Sequence, residues 1–356
     1  MKAAAFALAL SAACAMAANA AADTSLPTGK GLPVVVHTAV SFIEIVSFNE
    51  NAGTYKATVD LRLRWEDPRL RRPAGEANDP PKVYRGQPAQ ARTAEIWVPA
   101  VELANQRAKE TYSALGLRIF PSGAVEMTRR VSAEFAAPFE VERFPFDRQK
   151  LRLEVAMRDE PAGAVRLAFD QSDLDFSRAG AGVALDGWSV GAVALRSDPI
   201  AGWYGASHSR VLAALDIARQ PGPIVAAIFI PLFASLLIPL LAIWLNRIED
   251  GRFTIETFEL INLTVGGLFA VIALNFTVNA AYQPLSAGDN AVTRLFSINY
   301  GALGASLLIN VLLSRFAVVE RLAGRYVQEQ LFYVLAWAVP AMSFALGAAV
   351  VLVAAI

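Results

Sequence analysis

The stretch FTIETFELINLTVGGLFAVIALNFTVN, residues 253–279, carries its last charge at Glu259 and then runs apolar to its end. The run after Glu259 is about 20 residues, the length an α-helix needs to cross the hydrocarbon core of a bilayer. It is not isolated. Beyond Pro223 the charge density falls, and comparable runs occupy about 224–245, 255–278, 295–314 and 331–356. Four in succession predict four transmembrane helices rather than buried helices of a soluble fold.

Arginine placement predicts the orientation. Arg247 and Arg252 lie between the first and second spans, and Arg315, Arg321 and Arg325 between the third and fourth. The positive-inside rule puts both loops in the cytoplasm, and hence the N-terminal half and the loop from Asn279 to Ala291 outside. The beginning of the sequence agrees. Residues 1–22 combine a lysine, a short apolar run and small residues ending Ala18-Asn19-Ala20, the layout of a secretory signal. The single cysteine, Cys14, lies within it, so the rest of the chain is expected to hold together by packing or assembly without a disulfide. Ser11 to Cys14 is a poor lipid-attachment box because it lacks the preferred leading leucine.

Residues 23–220 form a different kind of sequence. Short segments of alternating polarity, such as TYKATVDLRLRW (54–65) and KLRLEVAM (150–157), are separated by turn residues at Asn51 to Gly53, Pro121 to Gly123 and Gly180 to Gly182. About ten such strands predict an extracellular all-β sandwich ahead of a four-helix transmembrane bundle at 221–356. RRPAGEANDPPKVYRGQPAQ (71–90), rich in proline, glycine and charge, reads as a long surface insertion between strands.

Composition excludes several function classes. Lys and Arg total 32 and Asp and Glu total 32, so no polyanionic partner is implied and nucleic-acid binding has no support. The two histidines, His37 and His208, stand far apart, with no HExxH, GxSxG, phosphate loop or cysteine ligand. No metal, cofactor or catalytic residue is expected, and the protein reads as a non-enzyme.

Within the opening stretch, Glu259, Asn262, Gly266, Phe269, Ala273 and Phe276 follow one another at steps of three and four, which is one stripe on a helix. Repeated around a symmetry axis, Glu259 would form a charged ring that favours cations, and Phe269 and Phe276 a dry constriction. A plainer reading has Gly266 and Gly267 serving close helix packing while the phenylalanines face lipid.

Several separated motifs then coincide: RWEDPRL (64–70), IWVPAVELAN (96–105), RFPFDRQKL (143–151), IARQ (217–220) and the four-span tail. Together they resemble the pentameric ligand-gated ion channels, the Cys-loop receptor superfamily, most closely its bacterial members, which lack the loop disulfide. The resemblance implies a homopentamer around a central pore in a bacterial inner membrane, its N-terminal domain periplasmic, surrounded by lipids and passing monovalent cations passively. It also implies a coupling device. Phe144, Pro145 and Phe146 would press on the loop joining the second and third spans, NAAYQPLSAGDN (279–290) with Pro284, while Asp147 would pair with Arg219 and with acidic residues near Asn49-Glu50. ALNF (273–276) is similar to the bacterial pore pattern and sets Glu259 at the cytoplasmic selectivity position. The Pro-Ala pair of anion-selective relatives does not precede it, so cation selectivity is implied. Gly266 stands where a small hydroxyl residue is usual, and Phe269 where leucine or isoleucine is usual, which implies a bulky closed gate.

By the same resemblance an agonist would bind between subunits beneath the hairpin IAGWYGASHSRV (200–211). Trp203, Tyr204 and His208 are the candidates on it, with Met157, Arg158 and Asn105 on the neighbouring segments. Aromatic rings that would hold an amine are incomplete in EVAMRDE (154–160). Arg158 either faces the pocket and favours an anion or is a solvated strand-end charge, and protons are a further trigger. The alternative function is a non-conducting receptor that senses an extracellular small molecule, against which the short cytoplasmic loops argue.

Overall fold

The computed structural model describes residues 23–356 apart from 77, 203–204, 250–251, 256 and 283–287. The leader expected at 1–22, with Cys14 in it, and Trp203, Tyr204 and Pro284 lie outside the described residues.

Two sheets form the N-terminal half. β1 (Val34–Asn49), β2 (Thr54–Glu66), β3 (Lys82–Arg85), β5 (Tyr112–Ile119), β6 (Ala124–Ala136) and β8 (Val165–Ala168) make a six-stranded sheet in the order β3-β5-β6-β2-β1-β8. β4 (Val101–Leu103), β7 (Arg148–Met157), β9 (Trp188–Ala201) and β10 (Ser207–Arg219) make a four-stranded one in the order β4-β7-β10-β9. The alternation explains the sandwich. In β2 the side chains of Tyr55, Ala57, Val59, Leu61, Leu63 and Trp65 are buried, while Lys56, Thr58, Asp60, Arg62 and Arg64 between them are not. β7 contributes Leu151, Leu153, Val155 and Met157 to the same core.

Two polar groups clip the sheets together. The Tyr55 hydroxyl donates to the Arg152 carbonyl at 2.7 Å, and burial pushes this phenol's pKa up. Asn105 donates to the carbonyls of Ala136 and Arg152 at 2.9 and 2.7 Å and accepts from the Glu154 N–H at 3.0 Å.

The segment expected as a surface insertion is partly ordered structure. Lys82–Arg85 pairs with β5 as an edge strand, and Gln87–Thr93 is a short helix anchored by the fully buried Ala89. KVYR offers the ladder four β-compatible residues, and Gly86 at φ 61° supplies the turn into the helix.

The four long apolar helices run Gly222–Trp244, Phe258–Ala281, Ala291–Leu313 and Arg325–Ala355, and they make the chain a multi-pass membrane protein. Their starts differ from the hydropathy reading where local chemistry decides. Residues before the second helix form a two-stranded hairpin, Asn246–Glu249 with Arg252–Ile255. Asn290 caps the third helix by accepting from the N–H groups of Val292 and Thr293 at 3.0 and 3.1 Å. Gly324, at φ 88°, turns the chain into the fourth.

The second helix packs against the bundle through Leu260, Gly267, Val271 and Val278, all buried. Asn299 and Asn310 of the third helix donate to the Leu232 and Ala242 carbonyls of the first at 3.2 and 2.9 Å, replacing bonds that water cannot supply in lipid.

Candidate functional site

The two halves meet at the turn quoted from 143–151. Phe144 and Phe146 donate their N–H groups to the carbonyls of Val141 and Arg143 at 3.0 and 2.7 Å, closing successive turns around a cis Phe144–Pro145 bond. Phe144 leaves the sandwich core and joins the apolar cluster of the helices, among Ile228, Phe229, Leu232 and Val278. Its ring stands 5.6 Å from that of Tyr282, at the start of the loop joining the second and third helices. Val141 packs on Gly288 at the other end of that loop, where an added Cβ would approach the valine to 2.7 Å. Phe146 turns to the first helix instead, with its ring 6.4 Å from Phe229. Pro145 is buried between them.

Asp147 and Arg219 lie directly above. Arg219 Nε donates to Asp147 Oδ1 at 2.7 Å and Nη2 to Oδ2 at 3.3 Å. The other edge of the guanidinium binds Glu50, with Nη1 to Oε1 at 3.1 Å and Nη2 to Oε2 at 2.9 Å. The flat face lies 4.2 Å from the Trp188 ring centre and 4.9 Å from that of Phe144. Gln149 donates to Asp147 Oδ2 at 2.8 Å and to the Glu140 carbonyl at 2.7 Å. Burial works to lower the Arg219 pKa, but hydrogen bonds to Glu50 and Asp147 outweigh it and hold it above the ordinary arginine value. This is a buried arginine fork between two carboxylates, joining β1–β2, β7 and β10 next to the first helix. Trp188, Gln149, Phe229 and Tyr282 are participants that the sequence reading missed. Gln149 and Tyr282 lie within the stretches quoted for the coupling turn and the loop it meets, whereas no spacing points to Trp188 or Phe229, which arrive from β9 and the first helix.

On the second helix the whole stripe of Glu259, Asn262, Gly266, Phe269, Ala273 and Phe276 is exposed, on the face turned from the bundle. Phe269 and Phe276 are 68% and 77% exposed, and Phe258, Ile261 and Val265 outside the stripe are exposed as well, so most of the helix surface is free in one chain. The two glycines separate. A Cβ at Gly267 would meet Ile238 at 2.6 Å, whereas Gly266 has nothing within 4 Å. Close packing therefore accounts for Gly267 and not for Gly266.

Among the described candidate agonist residues, His208 meets the backbone carbonyl of Met157, while Arg158 turns to Asp159. Met157 is 2% exposed and belongs to the sandwich core, because it shares the strand parity of Leu151, Leu153 and Val155. Asn105 spends its amide on the backbone groups described above. Both thus make their contacts inside the chain, and Asn105 also borders a cavity together with Arg107, Arg152 and Glu154. His208 is buried, with Nδ1 3.0 Å from the Met157 carbonyl and Gly202 against its ring. Arg158 points outward and pairs with Asp159 at 2.9 and 3.0 Å.

This architecture defines a class: a β-sandwich receptor domain seated through an aromatic-proline turn on four membrane-spanning helices. The chain belongs to the family of the neurotransmitter-gated ion-channel ligand binding domain, whose model matches residues 23–221. It is 28% identical over 251 residues to a proton-gated ion channel of Gloeobacter violaceus, covering 69% of this chain and 64% of that protein. It is 22% identical over 248 residues to the glycine receptor subunit beta of Rattus norvegicus, covering 64% of this chain and 47% of the relative. A third similarity, 26% over 159 residues, is to the gamma-aminobutyric acid receptor subunit pi of Rattus norvegicus, covering 42% of this chain and 31% of the relative. The match thus spans less than two thirds of the length of these relatives. All three are named as channels or receptors and none as an enzyme.

Proposed function

We propose that the chain is a ligand- or proton-gated, cation-selective channel, five copies surrounding a pore lined by the second helix. The carrying observation is the face of that helix: Glu259, Asn262, Gly266, Phe269, Ala273 and Phe276 all point away from their own bundle. Lipid can cover the benzyl groups, so the polar Glu259 and Asn262 on the same stripe are what favour neighbouring copies around a shared water path. Glu259 then forms the acidic mouth, and Phe269 and Phe276 the dry constriction. Residues 23–220 sit in the periplasm of a bacterial inner membrane, following a cleaved leader at 1–22, and the arginine-bearing loops lie inside.

The agonist site lies between copies. Trp203, Tyr204 and His208 of one hairpin would meet the neighbour's face. A Gloeobacter relative named as proton-gated supports protons as one trigger. Signal reaches the pore through Phe144, Pro145 and Phe146, held by Asp147 and Arg219, and through the loop containing Pro284.

The test is cation flux from liposomes across a pH series and a panel of small amines and acids. Glu259→Gln should change the preference among cations, and Phe269→Ala should raise the resting leak. A preparation that assembles but passes no ions under any of these conditions would favour the non-conducting receptor.

A further inference from the structure

His37 on β1 faces two carboxylates that come from the far side of the sheet's last strand. Asp170 is the N-cap of the helix Gln171–Phe176, and Asp173 lies in its first turn. One ligand atom from each of the three lies within 4.8 Å of the others. His37 Nδ1 is 3.5 Å from Asp170 Oδ2 and 3.3 Å from Asp173 Oδ2. That nitrogen is shielded from solvent, yet it makes no hydrogen bond. The side chain as a whole is 35% exposed, and its unbonded nitrogen between two carboxylate oxygens has the layout of a ligand set open to an ion.

The surroundings fix the carboxylates without using up the oxygens that face the ring. Arg62 Nη2 and Arg64 Nη2 donate to Asp173 Oδ1 at 2.9 and 2.8 Å. Asp173 Oδ2 accepts from the Asp170 N–H at 3.0 Å. Arg64 Nη2 reaches Asp170 Oδ1 at 2.8 Å and Oδ2 at 2.9 Å. Each Oδ2 keeps a lone pair for the side where His37 Nδ1 stands. Ligands about 2.0–2.1 Å from a tetrahedral ion stand about 3.3 Å from one another, and the two distances from His37 Nδ1 to the carboxylates, 3.5 and 3.3 Å, are close to this. A cavity of about 620 Å³, lined by His37, Arg64 and Asp170 among others, adjoins the group and offers an entry path and room for water at the remaining coordination position.

We propose that His37, Asp170 and Asp173 form a transition-metal site that takes Zn2+. An imidazole with two carboxylates suits zinc over magnesium or calcium, which prefer all-oxygen shells. Arg62 and Arg64 act as the outer shell that orients the carboxylates. They also offset the carboxylate charge, so binding is weaker than in a thiolate zinc site. The ion ties the start of β1 to the helix Gln171–Phe176. No sequence motif signals the group, because the strand and the helix that supply it are remote in the chain.

The test is calorimetric titration of the purified full chain in detergent, stripped with chelator, with ZnCl2. One saturable equivalent per chain is expected, unaffected by equal Mg2+. His37→Ala and Asp170→Asn should each weaken it at least about tenfold while leaving the metal-free circular dichroism and melting transition intact. Co2+ should give a ligand-field absorption in the wild type that is lost in both variants. Should His37→Ala fail to fold, Asp170→Asn decides, since that side chain is 43% exposed. Absence of saturable binding to folded wild type would overturn the site, and so would undiminished binding by the variants.

Discussion

Arg219 Nε lies 2.7 Å from Asp147 Oδ1, linking the last residue of β10 to the residue just before β7. The side chains are 4% and 2% exposed, so neither charge has water to fall back on. Removing Arg219 strands the buried Asp147 carboxylate, at a cost of about 3–5 kcal/mol, whereas removing the Asp147 charge leaves Arg219 bound to Glu50 through two hydrogen bonds. Arg219→Met is therefore expected to lower the melting temperature of the detergent-solubilised protein sharply, and Asp147→Asn to lower it less. Arg219→Lys is expected to recover only part of the loss, because an ammonium cannot bridge Asp147 and Glu50 while lying flat over Trp188.

The aromatic contact across the junction gives a second prediction. Phe144 and Tyr282 have ring centres 5.6 Å apart and belong to different halves of the molecule. A double-mutant cycle of Phe144→Leu and Tyr282→Leu should give a coupling of about 1 kcal/mol in thermal unfolding. Additive effects would mean that the rings do not pack on one another. If the junction transmits gating, the single variants should also shift the stimulus needed for flux.

Much of this was legible in the sequence, for reasons that differ by element. The spans stand out because lipid demands an unbroken apolar run, and β2 because its alternation is nearly complete from Tyr55 to Trp65. The alternation of Leu151, Leu153 and Val155 also assigns Met157 inward. Helix starts were less legible. They depend on a side chain such as Asn290 reaching its own backbone, and hydropathy does not register that. Contacts such as Trp188 on Arg219, or His37 between Asp170 and Asp173, depend on the fold bringing remote strands together, and no local pattern encodes them.

Acid should weaken the hairpin of β9 and β10 selectively. Arg210 donates to Asp198 through Nε and Nη2 at 2.9 and 3.0 Å, and this hydrogen bonding holds the Asp198 carboxyl below the ordinary aspartate value. A carboxyl with a depressed folded pKa stabilises the protein above its unfolded pKa, and the contribution fades as pH falls through the folded value. Asp198→Asn should therefore lower stability at neutral pH by no more than about 1 kcal/mol, as the pair is partly exposed. The difference from wild type should fade as pH falls below the ordinary aspartate range and vanish once the carboxyl is protonated in the folded protein. Melting curves of the two proteins across pH would check it, and a gap that widens in acid would contradict it.

The paired glycines of the second helix separate packing from exposure by a single methyl group. At Gly267 an added Cβ would approach Ile238 Cγ2 to 2.6 Å and Leu303 Cδ2 to 3.4 Å, so the first or third helix must move. Gly267→Ala is expected to cost about 1–3 kcal/mol by overpacking. At Gly266 nothing stands within 4 Å, and alanine is the better helix former. Gly266→Ala should thus leave the fold as stable as before or slightly more stable. The two variants have the same composition, so their difference isolates the face of the helix. If Gly266 also lines a narrow water path, its alanine variant should reduce cation flux without lowering the melting temperature. Gly267→Ala should lower both. Equal loss of stability in the two variants would place Gly266 in a tight contact and remove the stripe from the pore.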